Sequence, residues 1–287
     1  MNEWGDTARR SLTNDGKRLA QAVSAAFGAL PQVTAVAMAG SRIGPTQDDR
    51  SDVDLYVYVD EHIPADERIA IMHRFAERGE IDNRFWEPGD EWTDSASGIG
   101  VDLIYRTPCW IEAELDRVLI RHEASLGYST CLWYNVLVSV PLYDRYGWFG
   151  QLRARAEQPY PTTLRRAIVA RNHPVLRHIN SSYLHQLELA LLRGDLVSAN
   201  HRLTAILAGY FDILFALNER PHPGEKRLVQ YALASCSRVP SGMARQIDDV
   251  INALATTRSG PSVVERVNML LDGLDALLIA EGFIAEH

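Results

Sequence analysis

Two aspartates one residue apart, Asp52 and Asp54, open the apolar stretch "VDLYVYV", and a Gly40-Ser41 pair stands a short polar turn ahead of them. Side chains alternate faces along a strand, so Val53, Leu55, Val57 and Val59 form one face and Asp52, Asp54, Tyr56 and Tyr58 the other. The two carboxylates are therefore neighbours, about 7 Å apart at the Cα, and without a cation they repel by roughly a few kcal/mol. Anionic, oxygen-only ligands at this spacing suit a hard cation such as Mg²⁺ that takes its remaining ligands from water and phosphate. A third acid, Asp102 in "GVDLIYR", lies opposite its apolar neighbours Val101 and Leu103 and joins the pair if the two strands are adjacent. Asp94 or Asp90, in the loop before it, are the alternatives for that third ligand. Gly40 lets backbone approach a ligand closely, and consecutive N–H groups there, with the Ser41 hydroxyl, could cradle a triphosphate tail.

These residues must be positioned by strands. Residues 14–30 carry apolar positions at helical spacing; "VTAVAMAG" (33–40) and "VDLYVYV" (53–59) read as strands. A helix opening with "PADE" runs to Gly79. "IDNRFW" (81–86) and "GVDLIYR" (100–106) are further strands with a Gly/Asp/Ser-rich loop between them. From about residue 108 strand signals stop and helices follow over 108–122, 128–140, 147–157, 162–193, 195–219, 225–237, 241–256 and 262–282, with a break expected at Pro174. The expectation is an α+β core, a small mixed sheet flanked by helices, over residues 1–126, followed by an all-α helical-bundle domain over 127–287.

Gly40-Ser41, then Asp52-Val53-Asp54 at a strand start, then Asp102 on a later strand, resembles the nucleotidyltransferase superfamily that includes DNA polymerase β and the antibiotic-modifying nucleotidyltransferases. The resemblance covers roughly residues 14–122. More loosely, 173–228 looks like the helical domain of bacterial relatives of aminoglycoside and lincosamide nucleotidyltransferases. The resemblance of the core implies two-metal transfer of a nucleoside monophosphate from an NTP with release of pyrophosphate; ATP is the expected donor and a hydroxyl of a small molecule, such as an aminoglycoside- or lincosamide-like compound, the expected acceptor. Asp52, Asp54 and Asp102 would hold two Mg²⁺ ions, with Asp102 also drawing the acceptor proton. Gly40, Ser41 and Arg42 would bind the nucleotide phosphates, with Arg50 as a further cation. Nucleotidylation of a protein or tRNA, and nucleotide binding without turnover, are the alternatives.

Beyond the core, His201, Asp212 and Glu219 differ by 11 and 7 residues, which would align them on one helical stripe as an acceptor wall or general base. An ordinary solvated face or a helix-to-helix polar contact is the competing reading. Lys226 could reach a phosphate or simply be surface. His173, His178 and His185 lack a well-spaced third ligand and read as solvated or capping side chains rather than a zinc site. The aromatics Tyr143, Tyr146, Trp148 and Phe149 read as core or interface.

The 287 residues are 46% hydrophobic and 23% charged, enough for a real core. Twenty-nine basic against 37 acidic residues give a net charge of −8, which favours a small, amine-bearing acceptor over a nucleic acid. Three widely spaced cysteines suggest neither a disulfide framework nor a Cys-x-x-Cys metal site and point to a reducing cytoplasm. No basic n-region followed by an apolar h-region opens the sequence and no apolar run approaches the roughly 20 residues of a membrane span, so neither secretion by a standard signal peptide nor membrane spanning is expected. Serine-hydrolase elbow, Walker loop and dinucleotide fingerprint are absent from the sequence.

Overall fold

The computed structural model describes residues 3–40, 52–256 and 260–285, with backbone alone for 3–14 and 260–261. The chain divides into two compact units, Met1–Leu115 with Asn135–Gln158, and Asp116–Tyr134 with Pro159–His287. The first holds a six-stranded mixed sheet. Its strands are β1 (Val33–Met38), β2 (Val53–Val59), β3 (Gly79–Asn83), β4 (Gly89–Thr93), β5 (Gly100–Arg106) and β6 (Val140–Asp144), in the spatial order β3-β4-β5-β2-β1-β6. Only the β2–β5 pair is parallel; the other four pairings are antiparallel.

The β-branched run of β2 lies at the centre of this sheet, and Val53, Leu55 and Val57 are all but fully buried. Helix α1 (Glu3–Gly28) lays Leu19, Ala20, Val23, Ala26 and Phe27 on that face, a spacing that repeats with the helical turn. Val36, Met38, Val101 and Leu103 complete the same cluster, with Ile71 and Met72 from α2 (Ala65–Met72). Hydrophobic residues thus occupy one face of β2 and β5, leaving Asp54 and Asp102 on the other.

Three expectations need correction. Helix α2 stops at Met72 instead of running to Gly79. The loop expected between residues 86 and 100 contains β4, a strand whose sequence, "GDEWT", is too polar to register as one. Strands do not end at residue 108: β6 pairs with β1, so residues 135–158 rejoin the first unit. Its five residues, "VPLYD", follow the apolar "CLWYNVLV" of α4 (Cys131–Val138) after the single polar residue Ser139, too short a break to mark the change of period. In the same segment Trp148 and Phe149, at the start of α5 (Trp148–Ala156), pack their rings 5.1 and 5.5 Å from that of Tyr58, while Tyr146 is exposed. Helix α3 (Pro108–Leu119) runs across the first division of the chain.

The second unit is helical: α6 (Thr162–His173), α7 (Tyr183–Leu192), α8 (Leu196–Leu217), α9 (Leu228–Ser235), α10 (Met243–Thr256) and α11 (Gly260–Ala280). The break at Pro174 takes the form of a π-helical turn, Pro174–His178, because proline offers no N–H to continue the α ladder. Every residue of α8 from Gly209 to Leu217 is buried, and this half of the helix is the axis of the core. Among the described residues no helix is long and apolar enough to cross a membrane.

One ion pair fixes the edge of the sheet. Arg68 of α2 is 3% exposed and reaches Oδ1 of Asp90, itself fully buried, at 2.6 Å. Removing the cation leaves a carboxylate stranded in the interior, so Arg68→Ala is expected to cost about 3–5 kcal/mol. Arg84→Ala, at an exposed residue, should stay within about 0.5 kcal/mol. Urea unfolding of the two variants measures the difference.

Candidate functional site

The parallel register pairs Val53 with Val101, Asp54 with Asp102 and Leu55 with Leu103. Asp54 and Asp102 therefore stand abreast on one face of adjacent strands. The next two pairings extend the row, since Asp102 is opposite Glu91 of β4 and Glu91 is opposite Glu80 of β3. Four strands in succession place an acid at the same level. Asp52 precedes β2 by one residue, on the same side as Asp54.

Glycine makes room for each member of the pair. Gly40 has φ +73°, and a Cβ there would fall 1.7 Å from Oδ2 of Asp54. At Gly100 a Cβ would fall 2.3 Å from Oδ1 of Asp52. The first glycine is thus required twice, for its backbone conformation and for the carboxylate beside it. A cleft of about 550 Å³ opens on this region, with Asp52, Glu80, Glu91, Asp102, Trp92 and Arg78 among its lining residues.

The electrostatic result is visible at Asp102, whose carboxyl is pushed up to about 6 from 3.8. Burial is the largest cause, followed by the charges of Asp54, Glu91, Asp52 and Glu87. Among the described residues the three aspartates are not drawn into a set whose ligand atoms all lie within 4.8 Å of one another. As a donor set they nonetheless fit Mg²⁺: the oxygens are anionic, two of the carboxylates pack against glycine where no Cβ could stand, and the neighbouring negative charge that adds to burial in raising Asp102 is what a divalent cation relieves.

The alternatives for the third acid are committed elsewhere. Asp90 faces the opposite side, bonded to Arg68, the backbone N–H of Asp82 and the Tyr105 hydroxyl. Asp94 closes a turn by accepting from the backbone N–H and hydroxyl of Ser97 at 2.8 and 2.6 Å. Arg106 is held on the carboxylate face by two hydrogen bonds to Glu87, at 2.8 and 2.7 Å, with its guanidinium 4.0 Å from the ring centroid of Tyr56. Ser41, Arg42 and Arg50 lie outside the described residues.

His201, Asp212 and Glu219 do not form the expected stripe. His201 is exposed on α8, whereas Asp212 is buried and accepts from the backbone N–H and hydroxyl of Ser129 at 2.9 and 2.6 Å and from Nδ2 of Asn172 at 3.2 Å. Burial raises its carboxyl to about 6 against the pull of these donors. Glu219 lies past the end of α8 at φ 55°, paired with Arg165 at 2.7 Å, because the helix stops at Leu217. Lys226 is exposed in the turn before α9. Glu91 and Glu80 were missed in the sequence; the alternation of "EWT", with a buried tryptophan between two exposed residues, is the signal that would have found the first.

No family model matches the chain, and no curated protein matches it. Among solved structures, it is similar to a nucleotidyltransferase-like protein from Exiguobacterium sibiricum at 12% identity. The match covers 93% of this chain and 74% of the other, with a TM-score of 0.42, too loose to assign an activity.

The raised carboxyl of Asp102 gives a pH dependence with a definite sign. Between about 4 and about 6 the folded chain holds a proton that the unfolded chain has lost. Stability in EDTA should therefore fall as pH rises through this window and level off above it. Thermal melts should show the slope flattened in Asp102→Asn, and Mg²⁺ should raise the Tm of the wild type more at pH 7 than at pH 5.

Proposed function

We propose that this chain is a Mg²⁺-dependent nucleotidyltransferase that moves a nucleoside monophosphate from an NTP, with ATP the first to be tried, to a hydroxyl of a small cationic molecule. The observation that carries the reading is the placement of Asp54 and Asp102 abreast on parallel strands, with Asp52 beside them and a glycine clearing space at each of the two leading acids.

In this reading Asp52, Asp54 and Asp102 hold the metal. Bound there, Mg²⁺ supplies neutralisation of the phosphate charge and a template for in-line displacement. Gly40, with Ser41 and Arg42 of the same motif, would take the β- and γ-phosphates. Asp102 would receive the proton of the acceptor hydroxyl, its carboxylate standing in the same row as the other ligands of the metal. The acceptor oxygen attacks the α-phosphorus, the bond to the bridging oxygen breaks, and pyrophosphate leaves with the bonding electrons.

The acceptor class follows from what continues the row. Glu91 and Glu80 line the cleft beyond Asp102, and both are exposed to solvent. A polyamine-like acceptor carrying hydroxyls would place its ammonium groups against these two carboxylates and its reacting oxygen near Asp102. An anionic polymer would meet the same charges as repulsion.

The test is transfer of label from each α-labelled NTP, with Mg²⁺, to a panel of amino-alcohols and aminosugars, to bulk tRNA and to the protein itself. Label is expected in a cationic small molecule, and Asp54→Ala should lower the rate by about a hundredfold or more. Glu91→Gln should raise KM for the cationic acceptor with less effect on kcat. Label in RNA or protein would replace the acceptor assignment; NTP binding without transfer would refute the enzyme.

A further inference from the structure

Two of the three histidines set aside in the sequence for want of a third ligand acquire one in the fold. Helix α6 passes into the π turn Pro174–His178, which changes the residues that stand side by side. In an α-helix, residues five apart point about 140° away from each other. A turn closed by i→i+5 bonds brings them back to one face. His173 and His178 are five apart, and their ring centroids lie 4.3 Å from each other with planes at 32°. Asp275 arrives from α11, nearly a hundred residues later in the chain: Oδ1 is 2.7 Å from Nε2 of His173, and Oδ2 is 3.5 Å from Nε2 of His178. Among the described residues these three are the set of histidines, cysteines and acids whose ligand atoms all lie within 4.8 Å of one another.

We propose that His173, His178 and Asp275 bind a divalent first-row transition metal ion, with Zn²⁺ the natural probe. Two imidazoles and one carboxylate are a donor set for zinc, nickel or iron rather than for Mg²⁺ or Ca²⁺, which take oxygen ligands. The basic residue nearby supports the site instead of blocking it. Arg177 donates to Oδ2 of Asp275, and its charge is also met by Asp272 at 2.7 Å. It further donates to Oδ1 of Asn268 at 3.1 Å. Its hold on one oxygen leaves Oδ1 turned to Nε2 of His173, the way an outer partner orients a ligating carboxylate. His173 is buried, whereas the side chain of His178 is 34% exposed. The ion would therefore be reached from solvent and keep positions for water or a small ligand, unlike a closed four-ligand structural site.

The site is independent of the transfer reaction. Chelator-treated full-length protein is titrated with Zn²⁺ by calorimetry and with Co²⁺ by visible absorption. The wild type is expected to bind Zn²⁺ at this site and to show Co²⁺ d–d bands. His178→Ala should weaken that binding by about tenfold or more and abolish the bands. Asp54→Ala and His185→Ala should keep both. Asp275→Asn, which retains an oxygen for Arg177, provides a second loss independent of the histidine, and circular dichroism checks the fold of each variant. No Zn²⁺ binding by the wild type, or binding unchanged in both His178→Ala and Asp275→Asn, would overturn the site.

Discussion

Like charges held side by side are the constraint on which the first unit turns. The parallel pairing of β2 with β5 leaves Asp54 and Asp102 no freedom to separate, because a one-residue slip would turn every buried valine and leucine of either strand outward. Hydrophobic burial on one face thus forces electrostatic repulsion on the other. Among the described residues, a proton taken up by Asp102 near pH 6 and glycines that give Asp52 and Asp54 space both ease this repulsion. Arg106, on the same face, is bonded to Glu87 and stacked on Tyr56.

The opposite face handles charge differently. Arg68 and Asp90 sit in the interior as a bonded pair, with Tyr105 and the backbone of Asp82 filling the remaining valences of the carboxylate. Two neighbouring positions on β4, Asp90 and Glu91, therefore carry the same charge to different ends. One is neutralised by its surroundings and holds the sheet edge together; the other faces the cleft with its charge available to a ligand.

Much of this was legible in the residues. Strands β2 and β5 match "VDLYVYV" and "GVDLIYR" to the residue, since short runs of β-branched and aromatic side chains bounded by polar turns leave little choice. Their adjacency was not legible, because strand order depends on connections that local pattern does not encode. The missing members failed for separate reasons: "GDEWT" carries a single large apolar side chain, and "VPLYD" follows a helix of the same character. The stripe drawn through His201, Asp212 and Glu219 assumed that α8 continues past Leu217, and it treated Asp212 as a surface group when its neighbours on all sides are core. The histidine pair required a π turn, which no periodicity of 3.6 anticipates.

The chain crosses between its two units three times, after Leu115, Tyr134 and Gln158. Neither unit is thus a contiguous module that could be duplicated, exchanged or excised as a single stretch of gene. A fragment ending before Asn135 would lack β6 and leave β1 as a bare edge, open to pairing with another molecule.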